Sequence, residues 1–183
     1  MNEINLKTDY QTIYNYIKEK VEQYSDPQMG NSSDPIKIIH LGFQFEQEGW
    51  FTLVFDTRPN AEPDGEWTTN FYESILNLSH WSKTIDEHCE NDIPFKVTIL
   101  DGQNIIFDGI DHEDDEEIDT NIVNHIGNMI IKIMKEAMNN GVFNQLKFAT
   151  NPTFGVEEIN GEFGWPAYDQ RLIQGKIEIE KNV

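Results

Sequence analysis

Apolar positions along the first part of the chain recur at helical intervals. Tyr10, Ile13, Tyr14, Ile17, Val21 and Tyr24 fall on one stripe, and Thr8 and Gln11 stand ahead of it at capping-box spacing. The pattern predicts a helix over about 9–24 that Ser25, Asp26 and Pro27 terminate, followed by a loop over 28–35. From Ile36 the period changes to two. Ile39, Leu41, Phe43 and Phe45 face one way, and His40, Gly42, Gln44 and Glu46 face the other. A turn containing Gly49 leads to a second strand over 50–57, so the two strands read as a hairpin rich in aromatic residues.

Helical spacing returns after residue 70. Phe71, Ile75, Leu78, Ile85 and Cys89 trace a buried stripe to about residue 90, with Trp81 to one side and Pro94 closing the element. Phe95, Val97 and Ile99 alternate in a third strand. Asp101 and Gly102 signal a turn, and 104–107 forms a fourth strand. Asp119 is then placed to cap a long helix whose apolar face carries Ile122, Ile126, Met129, Ile130, Ile133, Ala137 and Met138. Asn139, Asn140 and Gly141 stop it. The remaining residues read as short strands and turns, with Asn160 and Gly161 at a hairpin and an edge strand over 176–179. The expected fold is therefore α+β: a single two-layer domain over 1–183, with helices packed against an antiparallel sheet.

Composition sharpens this picture. Ile, Leu, Val and Phe make up 49 of 183 residues. That is about 27%, above the roughly 20% floor below which chains stay unfolded. The chain carries 33 acidic and 13 basic residues, for a net charge of -20. Nothing in that balance neutralises a run of phosphates, which argues against direct nucleic-acid binding, and it disfavours an anionic membrane surface equally. The charge is also local. Residues 46–119 hold 20 acids against 3 bases (Arg58, Lys83 and Lys96), which is -17 of the total. Cys89 is the lone cysteine, which excludes a disulfide framework. The first residues show neither the basic region nor the apolar stretch of a signal peptide, so the expected location is the cytoplasm.

Chemistry-bearing residues are numerous but form no catalytic signature. The sequence has no nucleophile elbow, P-loop, dinucleotide-binding glycine set or zinc pattern. His80 and His88 are eight residues apart on the same predicted helix, His125 lies on the next one, and His112 sits among acids. Each reads as structural, and Cys89 reads as a buried, inert thiol. Two segments remain. Asp108, Asp111, Glu113, Asp114, Asp115, Glu116, Glu117 and Asp119 place eight carboxylates in twelve residues. Such a run is solvated and supplies negative charge to the following helix, holds a cation, or faces a basic partner. It lacks the calcium-loop pattern. The second segment follows the aromatic hairpin, where Pro59 and Pro63 stiffen a loop that presents Arg58, Asp64, Glu66 and Trp67. Trp and Arg are enriched at interface hot spots, although Trp67 folding back over the hairpin and Arg58 neutralising nearby acids would account for both residues.

The general plan of the chain (a leading helix, an aromatic hairpin, an acidic middle) resembles the immunity proteins of bacterial toxin systems. The stretch from Val54 to Thr68 is similar to segments of such families. That resemblance implies a non-enzymatic protein, without a cofactor, that binds and blocks a basic toxin such as a nuclease. The alternatives are an acidic mimic of DNA that occludes a DNA-binding protein, and an enzyme with an unrecognised carboxylate or metal site. The residues expected to contact the partner are Arg58, Asp64, Glu66 and Trp67 together with the acidic run over 108–119.

Overall fold

The computed structural model describes residues 2–25, 33–45, 49–58, 72–108 and 115–158, apart from the side chains of 115–121. Within them the elements run β1 (Asn2–Asn5), α1 (Leu6–Ser25), β2 (Ile36–Gln44), β3 (Trp50–Asp56), β4 (Tyr72–Asn77), α2 (His80–Asn91), β5 (Phe95–Thr98), β6 (Asn104–Phe107), α3 (Asp115–Asn139), a short 3-10 turn (Val142–Gln145) and β7 (Phe148–Glu158). This is an α+β fold with helices packed on sheets, as the periodicities predict.

The sheets are mixed, where the sequence pattern suggested antiparallel pairing alone. Four strands run in the order β4-β3-β2-β7, and three in the order β1-β5-β6. β2, β3 and β4 form an antiparallel meander, but β7 joins β2 in parallel and β1 joins β5 in parallel. Parallel pairs are made between strands distant in sequence, so no local turn signal announces them. β1 is four residues long and pairs with a strand more than ninety residues away, which is why period-two reading passes over it.

α1 begins earlier than expected because Asn5 caps it. The Asn5 Oδ1 accepts the backbone N–H groups of Lys7 (3.1 Å) and Thr8 (3.3 Å), satisfying two of the donors every helix start leaves open. The Thr8 and Gln11 pair consequently lies inside the helix, where the Thr8 carbonyl accepts the Thr12 hydroxyl.

The segment expected as one helix from 70 to 90 divides. Tyr72 to Asn77 pairs with β3, matching Tyr72 with Phe55 and Asn77 with Trp50. The Asn77 Oδ1 then accepts the Ser79 N–H at 2.8 Å and turns the chain into α2. Phe71, Ile75 and Leu78 stand at spacings that fit a helix, but Ile75 is 60% exposed on the edge strand β4. With α2 starting at His80, its buried face carries Trp81, Ser82, Thr84 and His88 instead. Trp81 is fully buried and Cys89 is exposed, the reverse of the expected arrangement.

One hydrophobic cluster joins the layers. Ile13, Ile17 and Val21 of α1 and Ile126, Met129, Ile130 and Ile133 of α3 pack with Leu41, Phe43, Phe51, Leu53 and Phe55 of the larger sheet. Rings interlock edge-on across the boundary, Tyr16 with Phe51 at 6.1 Å and Tyr24 with Phe55 at 4.7 Å. Among the described residues no helix is long and apolar enough to cross a membrane. The expected strands after residue 158 lie outside the described residues.

Candidate binding surface

The acidic run enters the fold at two ends of regular structure. Asp108 follows β6 directly and is exposed. α3 starts at Asp115, four residues before the cap position expected at Asp119. Asp115, Glu116 and Glu117 therefore occupy its first turn, with Asp119 one turn in. Acidic residue types are favoured in the first turn of a helix by its dipole. Asp111, Glu113 and Asp114 lie outside the described residues, as do Asp64, Glu66 and Trp67 of the second segment.

Arg58 is fixed by its own strand end. Its backbone N–H donates to Asp56 Oδ1 at 2.9 Å, Nε donates to both Asp56 oxygens at 3.0 Å, and Nη2 donates to Oδ2 at 2.5 Å. The forked pair holds the guanidinium proton more tightly than usual, through the hydrogen bond to Asp56 first. Asp56 is buried and Arg58 is partly exposed, so the arginine offsets a buried carboxylate. Arg58 ends a strand of the larger sheet and Asp108 ends a strand of the smaller one.

The surface of the smaller sheet extends the acidic character. α2 is tied to β1 by Asn2 Nδ2, which donates to Glu87 Oε2 at 2.5 Å, and β1 in turn pairs with β5 and β5 with β6. On this unit Asp86, Glu90, Asp92, Asp101 and Asp108 are exposed. Its two lysines are matched internally: Lys83 lies 3.8 Å from Glu87 and Lys96 lies 3.2 Å from Glu3. The Glu3 carboxyl is held below its usual range by the Thr98 hydroxyl and then by Lys96. Among the described residues, none of the five exposed acids forms an ion pair within 4 Å, and Lys7 Nζ stands beside the turn at Gly102, next to Asp101. Neither α2 nor the β5–β6 hairpin stood out in the sequence, because their acids are scattered rather than consecutive. Only the folded arrangement places them on one unit with Asp108.

Two polar clusters escaped the sequence reading. Asp9 is buried on α1, accepting Trp81 Nε1 at 2.8 Å through one oxygen and meeting His80 Nε2 at 3.0 Å through the other. It satisfies an indole donor that would otherwise be lost in the core, an omission that costs about 1–3 kcal/mol. The available signal was its position: residue 9 lies on the Ile13 and Ile17 stripe, where a carboxylate needs a partner. The second cluster is on the larger sheet. His40 and Gln44, expected to face away from the core, are 3% and 7% exposed. β2 is an interior strand between β3 and β7, which sets Thr52 and Glu157 on either side of Gly42. His40 Nε2 approaches Glu157 Oε1 at 3.3 Å. Burial pushes His40 down to about 3 and pushes Glu157 up to about 7, the neighbouring Glu158 adding to the latter. The imidazole is neutral at neutral pH, so this contact is a polar approach and not a bridge of full charges.

His88 is likewise structural. Its Nδ1 lies 3.0 Å from the Ile93 carbonyl, and its ring meets Phe95 edge-on at 5.0 Å. No group of three His, Cys, Asp or Glu side chains that could hold a metal ion occurs among the described residues. Compared with known proteins, the chain matches no family model, no curated protein and no solved structure.

Proposed function

We propose that this chain is an acidic binding protein that neutralises a basic protein partner, acting as an immunity protein does on its cognate toxin. The observation that carries the reading is the one-signed surface. The segment that holds -17 of the -20 charge contains three bases, and each has an internal carboxylate: Arg58 has Asp56, Lys83 has Glu87 and Lys96 has Glu3. The exposed acids of α2 and the β5–β6 hairpin form no ion pair among the described residues, which supports this reading. A field of this kind accelerates capture of a positive partner, to about 10⁸ M⁻¹s⁻¹ or more at low salt. A nuclease keeps positive surface for phosphates, and an acidic protein competes for that same surface.

The test is capture from the native strain with two baits, the natural chain and one in which Asp114, Asp115, Glu116 and Glu117 are neutralised to Asn, Asn, Gln and Gln. Neutral replacements avoid placing lysines in the first turn of α3, where they would oppose the helix dipole. The expected result is a strongly basic protein retained by the natural bait at low salt, depleted on the neutralised bait and released as salt rises. Retention of neutral or acidic proteins alone, equal on both baits, contradicts the proposal.

A further inference from the structure

α3 ends where Asn140 N–H donates to the Glu136 carbonyl at 2.9 Å and Gly141 N–H to the Met138 carbonyl at 3.0 Å. The chain then bends into the 3-10 turn, and the Gly141 carbonyl accepts the Asn144 N–H at 3.0 Å. Glycine is required at the bend, since its φ is +69° and a Cβ there would stand 2.6 Å from Asn144 Nδ2. The bend and one stripe of α1 flank a cleft of about 460 Å³. Tyr14, Lys18 and Glu22, at successive turns of α1, form one wall. Asn140, Asn144 and Gln145 form the other. The volume lies within the roughly 300–1,000 Å³ of small-molecule sites, but the lining is polar and so suits a small, strongly hydrated ligand.

The polar groups around this cleft are largely uncommitted. Among the described residues, Lys18 and Glu22 form neither an ion pair nor a hydrogen bond, although they stand one turn apart. Their order accounts for this, because a lysine four residues ahead of a glutamate is the weaker arrangement on a helix. Lys83 and Glu87, in the same order, approach only to 3.8 Å. Asn140 Nδ2 donates to the Tyr14 hydroxyl at 3.0 Å, which orients that amide and leaves its Oδ1 as an acceptor. The side-chain amides of Asn144 and Gln145 have no hydrogen-bond partner among the described residues. One cleft therefore gathers a cation, an anion and three carboxamides.

We propose that this cleft binds a free amino acid with a carboxamide side chain. Lys18 takes its carboxylate and Glu22 its ammonium, one charge of each sign for a zwitterion. Carboxamides of the second wall pair with the ligand's own, since each such group donates and accepts at once. Lys18 and Glu22 are exposed, so each charge contributes modestly and binding is weak and rapidly reversible. The site lies apart from the acidic surface and does not depend on the basic-partner reading.

The probe is glutamine, titrated to tens of millimolar into the isotope-labelled chain and followed by NMR. Three analogues each lack one group: N-acetylglutamine the ammonium, glutamine α-amide the carboxylate, and norvaline the carboxamide. Glutamine should shift the amide signals of Gly141, Val142, Asn144 and Gln145. Each analogue should bind about threefold more weakly or worse, the loss of one exposed polar contact. Lys18→Glu combined with Glu22→Lys reverses the pair into the order that favours an internal bond. That variant should keep the urea midpoint of the natural chain or raise it, and should lose affinity for glutamine about threefold or more. No shift with glutamine overturns the proposal, as does equal binding of any analogue or undiminished binding by the reversed variant.

Discussion

His40 and Glu157 stand 3.3 Å apart on one sheet face, and burial moves their proton affinities in opposite directions. The unfolded chain takes up a proton on His40 near 6.5, while the folded chain refuses it until about 3. Stability from this group is present above 6.5 and is lost as pH falls through that window. Glu157 behaves oppositely: the folded chain keeps its proton up to about 7, whereas the unfolded chain releases it near 4.5. Its contribution is present below 4.5 and is lost as pH rises through 7. Urea midpoints measured across pH 3 to 8 should therefore show a shallower acid limb for His40→Gln and a shallower decline between 4.5 and 7 for Glu157→Gln. Slopes unchanged by either substitution would mean that both side chains titrate in water. The pair could not be read from the sequence. Alternation placed His40 correctly opposite the Leu41 and Phe43 face, but nothing local reveals that β7 lies parallel to β2 and brings Glu157 alongside.

Elements were legible where a single period was strong and self-contained. α1, the β2–β3 hairpin, the turn at Asp101 and Gly102, and the body of α3 all follow from spacing, because each buries a continuous stripe or face. Elements whose identity depends on a distant partner were not. Over 72–77 the inward positions are Tyr72, Ser74 and Leu76 and not the helically spaced Ile75, and pairing with β3 decides for a strand. Gly49 shows how tightly that decision is locked. Its carbonyl accepts the Leu78 N–H at 2.6 Å, its φ is +61°, and a Cβ there would stand 2.6 Å from the Leu78 carbonyl oxygen. Only glycine allows β3 to start this close to the end of β4. Gly49→Ala should cost about 2 kcal/mol or more in urea denaturation, combining backbone strain with displacement of the β4–α2 junction. A loss below about 0.5 kcal/mol, the size of an ordinary surface change, would show that the junction yields freely.

At the scale of the whole molecule, the candidate surface was half legible. The consecutive acids of 108–119 announce themselves, and the structure adds that Asp115, Glu116 and Glu117 form the first turn of α3. The dispersed acids of α2 and the β5–β6 hairpin emerge only when β1 joins β5 and α2 packs against it. The sequence offered Arg58 either as a partner contact or as a neutraliser of nearby acids, and folding pairs it with Asp56. A capture surface of this kind acts chiefly on the association rate, and its effect is screened as the Debye length shortens to about 8 Å at physiological salt. The most direct test measures the association rate of the basic protein captured from the native strain at low and at physiological ionic strength. It compares the natural chain with the variant neutralised at Asp114, Asp115, Glu116 and Glu117. The account predicts a rate that falls steeply with salt for the natural chain, and a slower, flatter dependence for the variant. Equal rates for the two chains, insensitive to salt, would contradict it.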